Sequence, residues 1–252
     1  MTYSYLTNGN VQNITYPSGH VVGYSYNLNG GVSALTLNAQ PLVSGIAYFP
    51  FGPVESWATA NSLSYSRTFN LDGLITSITY PATVHSYSYD AAGQVTTIAD
   101  SASPSLSNQY SYDVQGRLAS ITKNNQTTTW WYDANGNRYL QDDGTAPLGY
   151  TYFSNRIYDR YQYNTYIQEA QYTHGNAGQR LAKNDISYAY DDSGRMIELR
   201  DNGVLVASYA YNGKGERVRK TTGSVTTDYV YDEGGQLIGE YTGSHSREYV
   251  WL

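Results

Sequence analysis

Apolar and aromatic side chains alternate with small polar ones in short runs, and each run stops at a turn signal. "SYSYD" (Ser86–Asp90), "QYSYD" (Gln109–Asp113) and "SYAYD" (Ser187–Asp191) place Tyr at every second position, which is the period of a half-buried strand. Each run is followed by two residues and a Gly, then by an aliphatic run such as "QVTTI", "RLASI" or "RMIEL" that reads as a second strand. The Asp or Asn can bond back to the turn backbone, and Gly takes the positive φ. The pattern therefore predicts strand, tight turn, strand.

The unit repeats. An aromatic residue stands four positions before a Gly at Gly9, Gly30, Gly73, Gly93, Gly116, Gly136, Gly194, Gly215 and Gly235, with a degenerate copy at His174 and Gly178. Most successive glycines lie about 20–22 residues apart, and the two long gaps are close to two periods, which is solenoid spacing. An isolated hairpin is marginal, so units of this kind must stack side by side. Tyr rows are then expected to form ladders across neighbouring strands. The expected repeat residues are Tyr89, Asp90 and Gly93; Tyr112, Asp113 and Gly116; Tyr132, Asp133 and Gly136; Tyr190, Asp191 and Gly194; and Tyr231, Asp232 and Gly235.

Composition sharpens this picture. Tyr supplies 29 of the 252 residues against 4 Phe and 4 Trp, and its rings suit pleated surfaces but carry hydroxyls that need partners. The net charge of −6 argues against nucleic acid and against an anionic membrane surface. With no Cys, disulfides, thiolate nucleophiles and Cys-ligated zinc are excluded. The opening "MTYSYLTNGNVQN" has no signal-peptide pattern, and no apolar run is long enough to span a bilayer, so no membrane insertion is expected.

Candidate chemistry is sparse. His20, His85, His174 and His245 are scattered, without metal-ligand spacing. The pairs Asp142–Asp143 and Asp191–Asp192 point to opposite faces if extended. There is no phosphate-binding Gly loop, and Asp133, Asn135 and Asn137 lack the later Glu of a calcium loop. No catalytic constellation, cofactor or metal is expected. Trp130 and Trp131, beside Tyr132, could stack on a glycan, although strand alternation puts neighbours on opposite faces. The segment 150–172 breaks the period; its Arg156 and Arg160, set among several Tyr, could touch a cargo.

"YDVQGRLASI", "YDANGNR", "YDDSGRMIEL" and "YDEGGQLIGEY" resemble the units of the Rhs or YD-repeat family, to which the bacterial polymorphic toxin shells and the teneurin-like repeats belong. "IAYFPFGPVESWATAN" (Ile46–Asn61), "YTYFSNRI" (Tyr150–Ile157) and the final "REYVWL" are similar to family elements as well. The resemblance covers nearly the whole chain. It implies an all-β fold: a YD-repeat β-hairpin solenoid, one domain over 1–252 of roughly twelve units, winding a spiral sheet into part of a hollow shell. It also implies a non-enzymatic role in which the wall encloses or scaffolds a C-terminal toxin domain, made in a bacterial cytoplasm and then secreted or delivered to a target cell. The implied partners are the toxin cargo or the remaining shell of the same protein. The aspartyl self-cleavage site of many members rests on D-P-x-G motifs, which this sequence lacks, so no cleavage residue is carried over. The shortness of the chain leads to the expectation of a fragment, or of a chain that completes its wall by self-association through sheet edges. The alternative function is a carbohydrate- or protein-binding surface module on the same repeats.

Overall fold

The structure is a computed structural model that describes residues 1–50 and 52–251. It is all-β, with 25 strands and a single three-residue 3-10 turn among the described residues, as the repeat predicted. The chain forms two units, residues 1–127 and 128–251.

The first unit runs through β1 (Thr2–Tyr5), β2 (Val11–Thr15), β3 (Val21–Tyr26), β4 (Val32–Leu37), β5 (Gln40–Tyr48) and β6 (Val54–Thr59). It continues with β7 (Ser64–Phe69), β8 (Ile75–Tyr80), β9 (Thr83–Tyr89), β10 (Val95–Asp100), β11 (Asn108–Tyr112) and β12 (Leu118–Lys123). Each strand pairs antiparallel with the next, from β1–β2 to β11–β12.

The second unit holds most of β13 (Gln126–Tyr132), then β14 (Arg138–Asp142), β15 (Leu148–Phe153), β16 (Arg156–Gln162), β17 (Gln168–His174), β18 (Arg180–Lys183) and β19 (Ile186–Tyr190). After these come β20 (Met196–Asp201), β21 (Val204–Tyr211), β22 (Arg217–Thr222), β23 (Val225–Tyr231), β24 (Leu237–Thr242) and β25 (His245–Glu248). Pairing is again between neighbours and antiparallel, from β13–β14 to β24–β25.

Within each unit the two ends of the strands are closed by different turn chemistry. One end carries most of the repeat turns. At Asp90 the backbone N–H of Gly93 donates to the Asp90 carbonyl, and the Asp90 N–H donates to that of Gln94. Gly93 sits at φ +77°, so this is a type I turn closed by a Gly bulge. A register shift follows on the outgoing strand, between Val95 and Thr97. The other end is closed mainly by short turns such as Asn124–Asn125, where both residues have positive φ, or Asn202–Gly203. That is the primed geometry that matches strand twist.

The buried core is thin. In the first unit Val22 and Leu35 are almost fully covered, with Ile14, Tyr16, Ile46 and Val54; in the second, Tyr150, Ala170, Tyr172, Ala207 and Ile238 are buried. Most other strand residues are half-buried, so polar and ring contacts carry much of the cohesion. Part of the expected ring ladder is present: Trp57 stacks on Tyr65, which meets Tyr80 edge-on, which in turn meets His85. Among the described residues no helix is long and apolar enough to cross a membrane.

Candidate functional site

The repeat turn is built around one side-chain oxygen. Asp90 Oδ1 accepts the N–H groups of Ala92 and Gln94, both at 2.9 Å. Asp113 does the same for Gln115 and Arg117, and its second oxygen takes Arg117 Nε at 2.6 Å. Asp133 accepts from the N–H groups of Asn135 and Asn137 and from Asn137 Nδ2. Asp191 holds Ser193, Arg195 and the Arg195 Nε, and Asp232 holds the N–H of Gln236. Asn27, Asn70 and Asn212 serve equally, because an amide oxygen accepts the same two bonds. Gly116, Gly136, Gly194 and Gly235 all sit at positive φ. The Asp191 carboxyl lies below its usual range, chiefly because the Arg195 N–H stabilises the anion; desolvation works the other way.

The Tyr of the unit has a second job that local pattern reading misses. Backbone pairing between β10 and β11 stops at Thr97–Gln109. Nearer the turn the strands are no longer paired, and the Tyr112 hydroxyl donates to the Val95 carbonyl at 2.8 Å. The same link recurs in the first unit from Tyr26 to Val11, Tyr48 to Val32 and Tyr89 to Ile75, at 2.7–3.0 Å. In the second unit it runs from Tyr152 to Arg138, Tyr211 to Met196 and Tyr231 to Arg217, at 2.8–3.0 Å. Trp251 takes the same place with its indole N–H, 2.9 Å from the Leu237 carbonyl. In each of these eight links the acceptor is the carbonyl two residues beyond a turn Gly. A backbone carbonyl left without a ladder partner needs a donor, and a rigid aromatic ring with a polar tip spans the gap. This explains Tyr over Phe. Phe69 packs on Phe49 instead, and the Tyr190 hydroxyl does not form this link. The Tyr and its acceptor lie 14–17 residues apart.

Arg side chains beside the turns add cross-hairpin contacts. Arg195 bonds Asp191 and also lies over the Tyr211 ring, while Arg138 covers Tyr150, Arg180 covers Tyr172 and Arg217 covers Tyr229.

The residues considered as contacts are placed as follows. Trp130 is half-buried, its Nε1 3.2 Å from Gln141 Oε1. Trp131, opposite Leu140, is more open. The Arg156 guanidinium donates to the carbonyls of Gly175 and Asn176, at 2.8 and 3.1 Å. Arg160 Nε lies 3.0 Å from Glu169 Oε2, an ion pair whose N–H is not aimed at the carboxylate. The structure does not bring these four residues together in one site. In the segment 150–172 the strands β15–β17 still pair antiparallel, with register shifts between Thr151 and Tyr152 and between Arg160 and Tyr161, and the turns depart from the repeat. Ser154–Asn155 closes β15–β16 with both residues at positive φ, where the repeat turns use an Asp or Asn and a Gly.

The segment also contains an open, mainly apolar cleft of about 490 Å³, lined by Tyr152, Phe153, Ile157, Tyr158, Tyr172 and His174 among others. The His174 imidazole is pushed down, first by burial and then by the charges of Arg180 and Arg156. No group of three or more potential metal-ligating side chains occurs among the described residues.

The architecture within each unit is that of hairpin repeats stapled hairpin to hairpin by ring hydroxyls. The profile of the Teneurin YD-shell family matches residues 86–250, more than half of the chain. The chain belongs to the YD-shell family. Among solved structures, the Photorhabdus luminescens Tc holotoxin pore in a TccC3 variant is similar, with a TM-score of 0.66 and 15% identity over 95% of this chain and 15% of that one. A TcdB2–TccC3 crystal structure gives 0.59 at 15% identity, over 94% of this chain and 15% of that one. TcdB2–TccC3 without its hypervariable C-terminal region gives 0.62 at 15% identity, over 97% and 14%. At that identity the likeness establishes the fold, and the chain spans only about a seventh of the length of those structures. Comparison with curated protein sequences finds no match.

Proposed function

We propose that this chain is a section of a wall that encloses a toxin domain carried by the same polypeptide or assembly. The observation that carries the reading is the recurring Tyr hydroxyl staple between neighbouring hairpins, in a chain of the YD-shell family. A wall needs cohesion along its length more than it needs a site, and the staples supply that without a deep core. The mechanism is sequestration and is non-enzymatic: the wall keeps an active domain away from the cell that makes it until export. Trp131, as the more open of the two Trp residues, is the better placed to touch cargo. Arg156 and Arg160 meet cargo only by giving up partners inside the wall.

The test is protease protection in the complete polypeptide that carries this segment. A toxin domain inside an intact wall is expected to resist a protease that digests the same domain expressed alone. Replacing Tyr112, Tyr211 and Tyr231 together by Phe should open the wall and speed digestion. Digestion of the enclosed and the free domain at equal rates would sink the reading.

A further inference from the structure

The staples keep a register with the strand pairing. Between β10 and β11, the last pair before the turns is Thr97–Gln109. The acceptor Val95 lies two residues before Thr97, and the donor Tyr112 three residues after Gln109. β14–β15 repeats this, with Leu140–Gly149 ahead of the Arg138–Tyr152 link. So does β20–β21, with Glu198–Ser208 ahead of the Met196–Tyr211 link. Between β16 and β17 the last pair is Asp159–Gln171. The same register makes the Ile157 carbonyl the acceptor and puts His174 at the place of the stapling ring.

That place is unlike the others. Where the link fails at Phe69 and Tyr190, a six-membered ring still stands in register, three residues after Ser66 and Ser187. His174 offers only a smaller imidazole, and no side chain among the described residues donates to the Ile157 carbonyl. The open cleft of about 490 Å³ lies here, with Ile157, Tyr158, Tyr172 and His174 in its lining. Arg156 ties the two hairpins at their turns instead, through the carbonyls of Gly175 and Asn176. The hairpins are thus held together while the space between them stays open.

We infer that this cleft binds a small neutral phenol, whose ring lies where other hairpins place their own Tyr and whose hydroxyl donates to the Ile157 carbonyl. The inference is independent of any enclosed cargo. Three observations set the ligand class. The lining is mainly apolar and rich in rings, with Phe153 77% and Tyr158 47% exposed, so the body of the ligand is aromatic. A carbonyl acceptor calls for a donor, which a carboxylate lacks. An ammonium donor would meet the charges of Arg180 and Arg156, which already act on His174, so the donor is neutral. A phenol hydroxyl is the donor that the molecule itself uses against such carbonyls, as at Tyr152 and Tyr211. The cleft admits more than one ring, so 2-naphthol is a suitable probe.

The experiment is calorimetric titration of the full chain with 2-naphthol and with 2-methoxynaphthalene, which keeps the rings and lacks the donor. 2-Naphthol is expected to bind, and its methyl ether about fivefold more weakly for the lost hydrogen bond. Phe153→Ala should weaken 2-naphthol severalfold and leave the melting temperature unchanged, because that ring is exposed. His174→Tyr supplies the ring from within the chain. It should abolish binding and raise the melting temperature by about 2–4 °C. His174→Phe should abolish binding with a smaller rise, which separates a filled cleft from a damaged fold. The inference is overturned if 2-naphthol does not bind, if the ether binds equally well, or if binding survives both His174 variants. A short Tyr-bearing peptide that binds where 2-naphthol does not would overturn it in favour of a polypeptide occupant.

Discussion

The hairpins closed by Asp113 and Asp191 and the hairpin closed by Ser154–Asn155 solve one problem by different means. In the first two, a carboxylate gathers two backbone N–H groups and an Arg, and a Gly absorbs the unusual φ. In the third, no carboxylate takes part. Two consecutive residues adopt positive φ, Asn155 Oδ1 accepts from Asn137 Nδ2, and Arg156 reaches the carbonyls of Gly175 and Asn176. The difference teaches that the staple and the turn are separable: Tyr152 still bonds the Arg138 carbonyl although its own turn is of the other kind.

The largest expected effect tests the Gly half of the first solution. Gly116 sits at φ +77°, so Gly116→Val forces a β-branched residue into the left-handed region, at about 2–3 kcal/mol. Urea unfolding measures this, and an unchanged midpoint would break the comparison at its base. The carboxylate half comes next. Asp191→Ala should lower the melting temperature by several degrees and Asp191→Asn by less, because Asn keeps the two backbone bonds, as Asn27 and Asn70 show. Acid sharpens this. The folded Asp191 carboxyl lies below its unfolded value of 3.8, so its contribution is complete above that pH and is lost as pH falls through the lower folded value. The Asn variant should lack that portion of the acid loss in melting curves taken from pH 6 downward.

A smaller effect should be shared by both kinds of hairpin. Tyr112→Phe and Tyr152→Phe each remove one hydroxyl donor and should each cost about 1 kcal/mol by the same unfolding measurement. A clearly unequal pair would mean that turn type and staple are coupled after all. The smallest effect has the opposite sign. Ser154 holds φ +49°, so Ser154→Gly should gain roughly 0.5 kcal/mol.

Much of this fold was legible because the repeat turn writes itself into the sequence. A side-chain acceptor and a Gly at fixed spacing are what the turn requires, so strand, turn and strand followed from "YDAAG" or "YDDSG". The turns at the other end of the strands left a weaker mark, an Asn at the first turn position, as in Asn38–Ala39, Asn124–Asn125 and Asn202–Gly203. The Tyr staple was missed because its acceptor is a backbone carbonyl one hairpin back, and no neighbouring residue type reports it. Trp130 and Trp131 drew attention as adjacent rings, yet strand alternation divides them.

The staple's acceptor has an evolutionary side. Each hairpin asks of its predecessor only a main-chain oxygen, which every residue type provides: Val, Ile, Arg and Met all occupy that place. A hairpin gained by duplication, or lost by deletion, therefore meets a compatible neighbour whatever the side chains there. A wall built in this way can be lengthened or shortened by recombination without a matching change next door.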